Sequence, residues 1–290
     1  MRSISRIGTL HVGRRYAWRG ISDWSFRIRS SMLRYLLSET TVAPDTPLPT
    51  EETVRERELK ILQRARQWGI GHENGVPGDL QLLALLQHHG APTRLLDVTS
   101  NPMTALWFAC QNADRKDVRG IPRDARGVLF AFDVTDYPAY DTVYSGRGTW
   151  GYTGDPEGWP LQQALELSSE ELRPFILNPT FRDARMQAQE GFFISAAAVD
   201  GFSIPGIDGI PFPHAPTPGA AAFENLFAPD ERKAGRPKAL PFAALVIPTK
   251  IKQQMLKHLS GTYNRSYRTL FPDVNGFTTA LRQGNVDLSN

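Results

Sequence analysis

The chain has 290 residues, 41% of them hydrophobic and 22% charged, proportions that exclude a disordered or fibrous protein and fit one large domain or two small ones. No apolar core of about seven residues follows the basic start, and no stretch approaches the ~18 apolar residues of a membrane span, so a cytoplasmic protein without a membrane partner is expected. The single cysteine, Cys110, excludes a disulfide framework and a thiolate metal site, and its apolar surroundings predict a small core hydrophobe.

The net charge is only +3, but residues 1–36 hold eight arginines against one acid, Asp23, giving that segment +7 and the remainder −4. This asymmetry permits a polyanionic partner, whether a nucleic acid or the phosphates of a nucleotide. In chain order, Tyr16-Ala17-Trp18-Arg19-Gly20 predicts a short strand with Arg19 on the face opposite Trp18, where it is either a ligand-binding or a salt-bridged arginine. Ser30 and Ser31 precede Met32, Leu33, Leu36 and Leu37, the pattern of a short capped helix, and 38–50, with three prolines, reads as a loop. Thr50 is a predicted N-cap for a scaffold helix to about residue 68, with Glu51 and Glu52 in its first turn. After a glycine-rich break at 69–78, Asp79 is expected to cap a leucine-rich helix that Gly90 stops.

From Leu85 to Cys110 apolar runs alternate with a dense polar set: Gln87, His88, His89, Thr93, Arg94, Asp97, Thr99 and Ser100. Polar groups beside so much apolar surface must bond one another or a ligand, because an unpaired buried one costs about 1–3 kcal/mol. The two histidines fall in the last helical turn, about 100° apart, which argues against joint metal ligation, and no HxxxH or carboxylate spacing supports a metal site. Leu95–Thr99 predicts a buried strand, and Asn101-Pro102 a cap and first helical residue. Thr99 and Ser100 therefore sit at a strand-to-helix junction, suited either to simple capping or to a phosphate or ribose oxygen.

Gly127–Val134 alternates as a central strand with Val128, Phe130 and Phe132 on one side. Residues 135–160 read as a long exposed loop, Leu161–Phe175 as a helix, and Arg182–Ile194 as a polar run entering a strand, with Gln189 and Glu190 on opposite faces at its mouth. The Pro/Gly-rich stretch 201–241 reads as an irregular excursion or lid, 242–247 as a closing strand, Thr249–Leu259 as a helix ended by Gly261, and 264–281 as a helical tail around Pro272, so that 249–290 forms a helical C-terminal region.

Trp18-Arg19-Gly20, the run from Gln87 to Thr99, Ala105-Leu106-Trp107-Phe108-Ala109, Gln189-Glu190-Gly191-Phe192-Phe193 and Leu270-Phe271-Pro272-Asp273 together resemble the FRG domain, and these anchors imply a single such domain over 1–290. The order of an Arg-Gly strand end, a Thr-Ser junction and a Gln/Glu-bearing strand entrance is also similar to the Arg, Ser-Thr-Ser and Glu motifs of the ADP-ribosyltransferase fold. That likeness implies an α+β protein whose split, mixed β-sheet forms a cleft surrounded by helices.

It further implies NAD as substrate, bound by Arg19, Gly20, Arg94, Asp97, Thr99 and Ser100, with Gln189 or Glu190 supporting the oxocarbenium-like state and His88 and His89 adjoining. The expected protein is an NAD-dependent ADP-ribosyltransferase-like enzyme acting on a nucleic-acid or protein acceptor, as a bacterial toxin or phage-defence effector with an antitoxin or immunity partner. Two alternatives stand beside it: a non-catalytic nucleotide or nucleic-acid binding module, and a hydrolase or nuclease acting through His88, His89 and Asp97.

Overall fold

The computed structural model describes residues 4, 5, 7, 13–24, 26, 28–38, 49–71, 78–112, 125–141, 160–171, 173–179, 183–198, 242–282 and 286. The sequence expectations for the loop at 38–50 and the excursion at 201–241 fall almost wholly outside them, as does most of 142–160. The described residues form an α+β structure. Its strands are β1 (Tyr16–Ile21), β2 (Leu96–Thr99), β3 (Gly127–Asp133), β4 (Ala139–Asp141), β5 (Phe175–Asn178), β6 (Gly191–Ser195) and β7 (Phe242–Ile247), in the order β4-β5-β6-β2-β1-β3-β7. Only β4 and β5 pair in parallel; the other neighbours are antiparallel, so the sheet is mixed.

Two halves of this sheet meet at a narrow seam. β1 and β3 are paired along six positions, and β2 and β6 along four, but β1 and β2 share only Trp18 opposite Thr99. Continuing that register would set Gly20 against Asp97. Instead the Arg19 guanidinium reaches across and donates to the Asp97 carbonyl oxygen at 2.5 Å. A side chain thus satisfies a main-chain acceptor that an unbroken ladder would have used, and the strands part there.

Helices α1 (Ser31–Ser38), α2 (Glu51–Gln67), α3 (Asp79–His88), α4 (Pro102–Cys110), α5 (Pro160–Glu171), α6 (Ala184–Ala188), α7 (Thr249–Tyr263), α8 (Tyr267–Leu270) and α9 (Val274–Arg282) cover the sheet. On one face Val128, Phe130 and Phe132 pack with Ala17, Val98 and Ile194. On the other, Leu129 and Ala131 meet Trp18, Leu106 and Trp107, while Phe193 and Leu177 join the leucines of α3. All seven residues of β3 are buried, which fixes it as a central strand covered on both sides.

Helix α4 lies against β1 and β3 at backbone contact. A Cβ on Gly20 would stand 1.8 Å from the Ala105 carbonyl oxygen, and one on Gly127 2.0 Å from that of Ala109. Both positions require glycine for close approach. The caps read from sequence at Thr50 and Asn101-Pro102 are present: Thr50 accepts from the Thr53 N–H, and Asn101 from that of Met103. Others differ. Gly78 is the N-cap of α3, and Asp79 is instead a buried partner of Arg66. The helix expected to reach Phe175 ends at Glu171, and Phe175–Asn178 form a strand paired with β6 that the sequence pattern does not place; Ala139–Asp141 form a strand within the predicted loop. Helix α7 passes through Gly261 and ends at Asn264, in the left-handed region at φ 53°. No helix among the described residues is long and apolar enough to cross a membrane.

Candidate functional site

Where β1 and β2 diverge, a cleft of about 790 Å³ opens between the sheet and the ends of α1, α3, α4 and α6. Arg19 of β1, Thr99 of β2 and Gln189 after α6 all line it, although 80 and 90 residues separate them along the chain. The sheet register explains the convergence: Trp18, Thr99 and Gly191 stand in one row across β1, β2 and β6.

Arg19 is held at the seam by the Asp97 carbonyl, with the Asp97 carboxylate 3.9 Å away. Its Nε is buried and has no hydrogen-bond partner among the described residues. Burial lowers the guanidinium pKa from its ordinary value, Asp97 opposes this, and Arg34 adds to it. The group still stays protonated near neutrality. A partly buried cation with an unused Nε donor, beside a second arginine, is arranged to receive an anion.

Behind it runs a polar network. Gln87 donates to Asp97 Oδ2 at 2.9 Å and accepts from the hydroxyls of Thr93 at 2.6 Å and Ser31 at 3.1 Å. The dense polar cluster of the sequence is therefore self-satisfied on this side, tying α1, α3 and β2 together.

His88 lies deeper, its Nε2 3.2 Å from Asp183 Oδ1 and its side chain only 10% exposed. Asp183 also caps α6, accepting the Met186 N–H at 2.9 Å. Burial lowers the His88 pKa, Asp183 works against this, and His89 and Arg185 reinforce the decrease. His89 is exposed, with its ring 5.1 Å from that of His88. Arg34 and Arg185 complete the cationic lining; Arg185 is stacked over Phe271 at 4.4 Å.

The other site residues expected from sequence take different places. Arg94 does not reach the cleft: it is buried with Nε 2.6 Å from Glu58 Oε2 and Nη1 2.9 Å from Glu51 Oε1, a structural ion cluster. Burial opposes its charge, but Glu58 and Glu51 outweigh this and raise its pKa. Gly20 borders the cleft, yet its lack of a side chain serves the α4 contact. Ser100 is exposed outside the lining, its N–H bonded to the Glu190 carbonyl. The Thr99 hydroxyl donates to the Gln189 carbonyl at 2.7 Å and accepts from Asn101 N–H at 3.0 Å, so capping occupies its proton and leaves one acceptor direction.

Gln189 and Glu190 are not on a strand, contrary to the sequence expectation; they form the turn between α6 and β6, with Glu190 at φ 50°. This turn decides which faces the cleft. Gln189 lines it, with Nε2 donating to the Leu270 carbonyl at 2.9 Å. Glu190 points elsewhere, accepting at 2.8 Å from both Asn101 Nδ2 and Arg265. Sequence reasoning missed Asp183, Arg185 and Arg34 as cleft residues. Arg34 carried a signal in the arginine-rich segment, and Asp183 and Arg185 in the polar run before β6.

Cys110 is fully buried, and burial pushes its thiol up to about 11, so it offers no thiolate near neutral pH. Among the described residues no group of three or more His, Cys, Asp or Glu side chains could hold a metal ion.

The family model of the FRG domain matches residues 14–118, the stretch that supplies Arg19, Gln87, His88, Asp97 and Thr99 to the cleft. The matched stretch runs from β1 through α4 and covers less than half of the chain, while the anchors at 189–193 and 270–273 lie beyond it. No curated protein and no solved structure matches the chain.

Proposed function

We propose that the cleft binds a dinucleotide, NAD, and that the protein is an ADP-ribosyltransferase-like enzyme acting on a macromolecular acceptor. The observation that carries this reading is the convergence of Arg19, Thr99 and Gln189 on one cleft at the parting of the sheet. Its volume of about 790 Å³ falls within the range of roughly 300–1,000 Å³ of small-molecule sites. Arg19, Arg34 and Arg185 suit a diphosphate.

In the transfer step the bond from ribose C1′ to the nicotinamide nitrogen breaks, and its electron pair leaves with neutral nicotinamide. A lone pair of the acceptor forms the new bond to C1′. The acceptor's proton passes to His88, which burial keeps neutral and which Asp183 positions and then stabilises as imidazolium. A toxin or phage-defence setting, with an antitoxin or immunity partner to restrain it in the cytoplasm, is consistent with such an activity.

One observation favours a second reading, a nucleotide-binding module without transfer. Glu190, the residue suited to offset charge on the ribose, is engaged by Arg265 and Asn101 outside the cleft, and Gln189 cannot replace its charge. The third sequence reading, a hydrolase or nuclease acting through His88, His89 and Asp97, would draw on His88 with Asp183 instead, because Asp97 is bonded to Gln87.

NAD labelled in its adenylate part separates these. Saturable binding with nicotinamide release and label transfer is the expected result, with Arg19→Lys weakening binding about tenfold through loss of the guanidinium fork. Binding without release selects the second reading. Absence of NAD binding overturns both.

A further inference from the structure

Outside the cleft, α2 carries a second surface with its own chemistry. Arg57, Lys60 and Arg64, followed by Trp68 just past the helix, fall at spacings of three, four and four residues, which places them on one face. At 1.5 Å per residue they form a row about 16 Å long. Together with Tyr35 and Leu86 they border a groove of about 430 Å³, and no acidic side chain lines it among the described residues.

Trp68 is 84% exposed. A tryptophan normally gains from burial of its large ring, so one left in water at the end of a basic row is not explained by folding. At the opposite end the Arg57 guanidinium lies 5.5 Å over the Tyr35 ring, which holds that cation in place. Lys60 is paired with Glu56, but both are largely exposed, and so weak a pair gives way readily to a phosphate.

We infer that this groove is a docking surface for single-stranded nucleic acid. Cations in a line meet successive phosphates, and an open aromatic face receives a base by stacking, the combination such ligands require. An acidic peptide would use the charges but has no planar group for Trp68. The groove and the cleft draw on the same two helices: Tyr35 and Leu86 line the groove, and their sequence neighbours Arg34 and Gln87 line the cleft. Delivery of the strand to the cleft as an acceptor rests on the function proposed above; binding does not.

The test uses the full chain and a fluorescein-labelled oligodeoxythymidylate, read by anisotropy across a salt series. Saturable binding is expected, with log K falling against log salt at a slope of about −2 for three phosphate contacts. Trp68→Ala lowers affinity about 5- to 150-fold, and Lys60→Glu with Arg64→Glu abolishes it, while circular dichroism and NAD binding stay unchanged. No binding, binding insensitive to these substitutions, or equal binding of polyglutamate that survives Trp68→Ala overturns the inference. Those failures leave the cleft reading standing, and failure of NAD binding leaves this surface standing.

Discussion

Replacing Arg94 by methionine tests whether this residue belongs to the scaffold or to the ligand. The side chain is 4% exposed and Glu58 only 2%; besides the Arg94 guanidinium, Glu58 Oε1 accepts the Arg94 N–H at 2.8 Å. Arg94→Met keeps the apolar stem but leaves the Glu58 carboxylate buried without its cation, a loss of about 3–5 kcal/mol for a broken buried pair. Glu51 is less affected, because it is partly solvated and still accepts from Ala198 N–H. Against a total stability of about 5–15 kcal/mol the loss is large. With a urea slope near 3 kcal/mol/M for a chain of this size, the unfolding midpoint should fall by about 1–1.7 M. Adding Glu58→Gln to Arg94→Met removes the uncompensated charge while keeping an acceptor for the backbone N–H, so the double variant should recover part of the midpoint. NAD binding by the folded fraction should match the wild type. An unchanged midpoint combined with lost NAD binding would refute this reasoning and return Arg94 to the cleft.

Two further outcomes follow from the same geometry. Gly20→Ala drives a methyl group into the Ala105 carbonyl; it should cost about 1–3 kcal/mol or more by overpacking, seen as a melting temperature lowered by several degrees, and an unaltered melt would show that α4 can move away from β1. For His88, burial depresses the folded pKa below the ordinary value of about 6.5, so the unfolded chain takes up a proton that the folded chain does not. Stability attributable to this group is thus full above about pH 6.5 and lost as pH falls through the folded value; urea midpoints should decline over that window in the wild type and decline less in His88→Gln.

The seam between β1 and β2 links these results. Arg19 occupies the place where main-chain pairing stops, so one side chain both completes the Asp97 carbonyl and lines the cleft. The site is consequently coupled to the sheet's architecture rather than appended to it, and substitutions at Arg19 are expected to act on both.

Local chemistry made several elements legible in the sequence. The alternation of β3, the caps at Thr50 and Asn101-Pro102, and the polar set between Gln87 and Thr99 depend on residues within a few positions of one another. Long-range pairing decided the rest. Phe175 stands at the end of the predicted helix, yet Phe175–Asn178 form a strand because β4 and β6 offer partners such as Ala139–Asp141 and Ser195. Arg94 sits in a run that reads as a binding motif, yet Glu58, 36 residues earlier, claims it. Gln189 and Glu190 differ in direction because of a left-handed turn whose acceptors and donors come from Leu270, Asn101 and Arg265. Likewise His88 finds Asp183 only when α6 packs beside α3. Periodicity and capping are written in adjacent residues, whereas the direction of a side chain at a turn, and the partner of a buried charge, are set by whichever distant segment the fold brings against it.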